Sequence, residues 1–98
     1  MTYLFHPAAR FDLTQAVEYY EDCQPGLGNE FLDEVEVAID RILQYPKAWS
    51  RLSHRTRRCL VNRFPYGIIY QVQEDHVRIV AIAHSHRRPD YWDNRINT

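Results

Sequence analysis

The sequence predicts an α+β fold: an N-terminal strand, a helical hairpin, then a three-stranded antiparallel meander, with the helices packed on one small sheet. Three observations carry that prediction. Two consecutive stretches between residues 8 and 45 repeat apolar side chains at helical spacing. A Pro–Gly link divides them, and β-prone runs separated by turn residues follow. The 98 residues, 45% hydrophobic and 26% charged, suit one domain over 1–98 and exclude a disordered or collagen-like chain.

Residues 2–6 (TYLFH) are β-prone and stop at Pro7, which reads as the first strand. From Ala8 the period changes: Leu13, Ala16, Val17 and Tyr20 form an apolar stripe, with Asp12, Glu18 and Glu21 off it. Gln24-Pro25-Gly26-Leu27-Gly28 breaks the helix. A second stripe of Phe31, Val35, Ala38, Ile39 and Ile42 defines the next helix, which ends before Pro46. Residues 47–56 show no clean period and read as a loop. Strands are then expected over Arg57–Phe64, Ile68–Gln73 and Val77–His84, with turns at Pro65-Tyr66-Gly67 and Glu74-Asp75-His76. The last strand is apolar at nearly every position of VRIVAIA, so it belongs inside the sheet with both faces covered. Strict alternation would put Arg78, Val80, Ile82 and His84 on one face.

No apolar run approaches the length of a membrane span, and the opening MTYLFHPAARFD lacks a signal peptide's apolar stretch, so a cytoplasmic protein is expected. Cys23 and Cys59 form no disulfide framework; both are expected as reduced packing residues, with nearby arginines able to lower the thiol pKa of Cys59. The formal charge of −1 conceals a division. Residues 1–40 hold one base against nine acids, net −8, whereas residues 41–98 hold eleven bases against four acids, net +7. Such asymmetry suggests two surfaces with different partners. Eleven of the twelve bases are arginine, whose planar fork suits phosphate or carboxylate; the single lysine is Lys47. His84-Ser85-His86 has no cysteine or carboxylate at ligand spacing, so neither metal nor cofactor is expected. Trp49, Tyr91 and Trp92 read as caps on a small core or contacts for a partner helix, ahead of stacking platforms for bases.

Five segments in order resemble the RelE/ParE superfamily of bacterial toxins. They are His6-Pro7-Ala8-Ala9-Arg10-Phe11-Asp12-Leu13, Ala16-Val17-Glu18-Tyr19-Tyr20-Glu21, the link Pro25-Gly26-Leu27-Gly28, the hairpin Arg57 to Tyr70, and Ala81-Ile82-Ala83-His84 with Arg87-Arg88-Pro89-Asp90-Tyr91-Trp92. The resemblance implies a growth-inhibiting toxin of a plasmid-stabilisation type II toxin–antitoxin pair. It would be neutralised by a cognate antitoxin, in a hetero-oligomer that binds operator DNA through the antitoxin. Its target is either translation, through metal-independent cleavage of ribosome-bound mRNA, or DNA gyrase, in which case it is no enzyme. The alternative is a degenerate, non-toxic relative that only binds an antitoxin.

Cleaving RNA through its own 2′-hydroxyl requires a base, an acid and a cation for the phosphorane. The residues proposed for it are Arg63, His84 and Arg87, with His54 or His86 as a second acid/base; Tyr91 stands near the tail tyrosine of RelE-like toxins. Asn62 falls where the RelE-like hairpin carries arginine, with Arg63 one step away, and RelE's lysines have no match. The opening and tail sit nearer the ParE-like branch.

Overall fold

The structure, a computed structural model, describes residues 1–96. Strand β1 (Thr2–Phe5) leads into α1 (Pro7–Cys23) and α2 (Leu27–Gln44), followed by β2 (Ser50–Arg51), β3 (Arg57–Leu60), β4 (Tyr66–Val72) and β5 (His76–His84). A 3-10 turn, Asp93–Arg95, lies in the tail. The expected α+β architecture is present, with two additions. The sheet has five strands in the order β1-β5-β4-β3-β2, because two residues of the expected loop pair with β3. It is also mixed: β1 joins β5 in parallel while the other pairings are antiparallel.

Both helices start where local chemistry allows. The Nδ1 of His6 accepts from the N–H of Ala8, and Pro7 occupies the first helical position, where a missing N–H costs nothing. Gly26 opens α2 at φ 91°, a left-handed conformation natural to glycine. The Glu21 carboxylate reaches across to accept from the N–H groups of Gly26 (3.1 and 3.0 Å) and Gly28 (3.1 Å), satisfying donors the first turn leaves free. The helices cross closely there. A Cβ on Gly28 would stand 2.8 Å from the carbonyl oxygen of Val17, so glycine is required by space.

The two stripes bury as expected against one face of the sheet. Ala16, Phe31, Val35, Ala38, Ile39 and Ile42 meet Cys59, Ile68, Tyr70, Val77, Ile79 and Ile82 in the larger cluster. Trp49 packs against its margin. The opposite face is covered by the tail, where Trp92 seats on Ile69, Val80 and Ala81. Both tryptophans therefore serve the core. Cys59 is buried and Cys23 exposed, and burial pushes the Cys59 thiol up in pKa despite Arg41 beside it.

Two local expectations change. The strand expected over Arg57–Phe64 ends at Leu60, because Arg63 adopts φ 71° in a turn and Phe64 is drawn between Tyr20 and Phe31, at ring distances of 4.8 and 5.1 Å. The alternation of β5 is broken by a bulge. Tyr70 pairs with Ile79 and Ile69 with Ala81, leaving Val80 as an extra residue. Val80 and Ala81 consequently share the tail-side cluster, while Ile82 returns to the helix side. His84, opposite Tyr66, then lies on the helix side, and Arg78 does not share its face.

Two consequences are measurable. Gly28→Ala is expected to lower stability by about 1–3 kcal/mol, since the added methyl meets backbone; a urea melt with an unchanged midpoint would contradict the close crossing. Burial first, then the charges of Arg78 and Arg95, hold the His6 imidazole below its ordinary pKa. The unfolded chain thus takes up the proton first, and stability falls as pH drops below about 6.5. His6→Asn keeps a capping acceptor without titrating, so its pH dependence in that range should be shallower than that of the parent.

Candidate functional site

Strand β1 stops pairing with β5 at Ile79, whose carbonyl accepts from the N–H of His6. Beyond that point the outer edge of β5 has no strand beside it, and unpaired backbone groups in a half-buried setting are costly. Three side chains occupy the gap. Asp12, from the first half of α1, accepts from the N–H of Ile82 at 3.2 Å. Arg95 donates to the Val80 carbonyl at 3.1 Å and to both oxygens of Asp12, at 2.6 and 3.3 Å. The Tyr91 hydroxyl lies 3.2 Å from Asp12 and 3.4 Å from the Ile82 carbonyl. The Asp12 and Arg95 side chains are only 9% and 13% exposed. Burial, with the Asp12 charge adding to it, pushes the Tyr91 phenol up to about 12. It keeps its proton and acts as a donor.

This network forms the floor of a basic corner. Arg87 rests its guanidinium 4.1 Å from the centre of the Tyr91 ring, while Arg95 approaches the same ring at 4.9 Å. His84 stands edge-on to Tyr66 at 5.1 Å, and its Nδ1 accepts from the N–H of His86 at 3.0 Å. A neutral His84 ring accordingly carries its proton on Nε2. His84 and Arg87 line two grooves. On the helix side the wall is Phe11, Asp12, Gln15, Tyr19 and Tyr66, in a groove of about 320 Å³. On the other side it is Leu52, Leu60, Ile69, Tyr91 and Trp92, in one of about 210 Å³. Phe11 and Tyr19 are 63% and 62% exposed, two aromatic rings eight residues apart on one face of α1.

The residues proposed from sequence do not all meet here. His84, Arg87 and Tyr91 do, and the His86 ring lies 5.3 Å from that of His84. Arg63 is directed to α2, paired with Glu30 at 2.7 Å and Glu34 at 3.7 Å. His54 lines a separate cleft with Tyr70, Val72 and Glu74, at the far end of β4 from Tyr66. His76, expected in the turn after β4, opens β5 with its Nδ1 2.8 Å from Asp75. Sequence reasoning missed Asp12, Arg95 and Tyr66. Asp12 was visible only as an acid off the apolar stripe, and no spacing rule links residue 12 to residue 95.

The comparisons with known proteins agree with this architecture. A family model described as the ParE toxin of type II toxin–antitoxin system, parDE, matches residues 3–89. Toxin ParE2 of Mycobacterium tuberculosis, in strains CDC 1551 / Oshkosh and H37Rv, is 30% identical over 96 residues, covering 94% of this chain and 89% of the relative. A chain from the solved structure of a chromosomal ParDE TA system from P. aeruginosa shares the fold with a TM-score of 0.75. It is 17% identical and covers 86% of this chain and 95% of its own length.

Removing Asp12 strands a buried guanidinium, so Asp12→Ala is expected to cost about 3–5 kcal/mol. Arg95→Met in the Asp12→Ala background should cost much less than Arg95→Met alone, the sign of a coupled pair. Additive shifts in urea midpoints across the four proteins would show that the two side chains act separately.

Proposed function

This chain belongs to the ParE toxin family of type II toxin–antitoxin systems, and from that premise we propose that it inhibits growth by acting on DNA gyrase when free and is silenced by a cognate antitoxin. The family match supports the choice of target, and the groups named for RNA cleavage are only partly gathered, since His84, His86, Arg87 and Tyr91 meet while Arg63 and His54 do not. Arg63 is engaged by Glu30, His54 sits at the other end of the sheet, and the Tyr91 phenol holds its proton against Asp12. What gathers at the corner is instead suited to recognition. Arginine forks and exposed aromatic rings make strong contacts with a protein surface, and both are over-represented where partners bind. In this reading Arg87, His84, Phe11 and Tyr19 are binding residues. Their work is done by shape and charge, with no proton moved.

The antitoxin follows from the same premise, since a free toxin arrests the cell that makes it. The acidic helices and the basic sheet supply two surfaces of opposite sign for such a partner. A hetero-oligomer of the two chains, bound to operator DNA through the antitoxin, is the expected resting form.

A brief induction in a bacterial host, reading DNA and protein synthesis separately by label incorporation, tests the target. DNA synthesis is expected to fall first, with a damage response, and Arg87→Ala should delay arrest while leaving the fold intact. If protein synthesis collapses first, the ribonuclease reading takes over and His84 becomes the residue to map against cleaved RNA ends. If neither falls, the chain is a binder without toxicity. Co-expression of the neighbouring antitoxin gene should restore growth.

A further inference from the structure

A cleft of about 650 Å³ lies at the end of the molecule away from His84 and Arg87. Along β4 from Tyr66 to Val72 the separation is roughly 20 Å at the usual strand rise. Its rim carries Lys47, Arg51, His54, Arg55 and Arg57, opposed by a single lining carboxylate, Glu74. Among the described residues Lys47, Arg51 and Arg57 form no ion pair with any carboxylate. That contrasts with Arg63 and Arg95, which the fold neutralises. The loop bearing these cations is held in place. Arg57 donates to the Trp49 carbonyl at 2.9 Å, the Tyr70 hydroxyl to the Pro46 carbonyl at 2.7 Å, and the Ser53 and Thr56 hydroxyls meet at 2.7 Å. Thr56 and Tyr70, at 2% and 0% exposure, form the floor.

We propose that this cleft is a binding site for the phosphate backbone of duplex DNA, separate from the gyrase-directed corner. Clustered cations above a low-dielectric wall concentrate field, and arginine forks match phosphate geometry. The lack of an exposed phenyl, phenol or indole ring in its lining favours duplex over single strand. Single-strand binders pair a basic groove with exposed phenyl, phenol or indole rings, yet among the described residues the one such ring lining this cleft is that of Tyr70, which is fully buried, leaving the imidazole of His54 as the one exposed ring. Trp49, on the same loop, packs against the core and donates its indole N–H to the Arg41 carbonyl. Contacts of this kind carry no base readout, so the binding is indifferent to sequence. The site holds whether or not the chain is toxic.

Fluorescence anisotropy on the full chain with a labelled duplex of about 20 base pairs, in a salt series from about 50 mM, tests the assignment. The three cations Lys47, Arg51 and Arg57 predict a slope of log K against log salt of about −3. Lys47→Glu with Arg51→Glu should weaken binding at least about tenfold and flatten the slope by about 2. Arg10→Glu with Arg88→Glu changes the net charge equally on other surfaces and should stay within about threefold of the parent. Melting curves of all three proteins establish that each is folded. The proposal is overturned by no binding at the lowest salt, or by equal losses in both double variants. It is likewise overturned if single-stranded DNA binds more tightly than duplex. A labelled polyglutamate peptide that binds as well as duplex, with the same loss in the cleft variant, assigns the cleft to an acidic protein instead.

Discussion

The buried pair of Asp12 and Arg95 ties the first helix to the last strand and to the tail, 70 and 83 positions further along the chain. Asp12 belongs to α1, Arg95 to the tail, and the backbone they serve to β5. The need for them arises from a mismatch in length, since β1 covers β5 only as far as Ile79 while β5 continues to His84. A strand edge left open in a half-buried setting either pairs with another chain or is satisfied by side chains. Here one carboxylate, one guanidinium and one phenol satisfy it. In doing so they fasten the tail over the sheet, where Trp92 completes the second cluster.

The same segment contains the bulge at Val80, and the two features act together. The extra residue reverses the facing of everything after it, placing Ile82 under the helices and His84 beside Tyr66. Without the bulge His84 would share a face with Arg78, against the tail. The bulge therefore sets the His84 ring on the helix side beside Tyr66, and the Asp12–Arg95 pair holds the distorted backbone in place. Arg87 and Tyr91, stacked at 4.1 Å, follow from the same anchoring of the tail.

Charge is arranged along the molecule as it is along the chain, with the helices acidic and the sheet and loops basic. The fold neutralises selected members of each set. Arg63 crosses to Glu30 and Glu34 on α2, and Arg95 to Asp12 on α1. Among the exposed bases, two groups lie at opposite ends of β4, one beside the exposed rings of Phe11 and Tyr19 and one without an exposed phenyl, phenol or indole ring. A protein surface and a phosphate backbone call for those two different linings.

The sequence by itself determined the helices, their buried stripes, the link at Gly26 and Gly28, and the apolar run of β5, because each depends on the period or backbone freedom of nearby residues. It also determined the family, whose motifs are local and ordered. Only the tertiary structure decided that β1 lies parallel to β5, that two loop residues form a strand, and that β5 changes its facing at Val80. It alone separated Arg63 and His54 from His84, and brought Asp12 to Arg95 across 83 positions. The physical reason is common to all of these. Strand pairing, bulges and buried ion pairs are settled by which unsatisfied groups meet when distant segments pack, and such meetings leave no periodic trace in the chain.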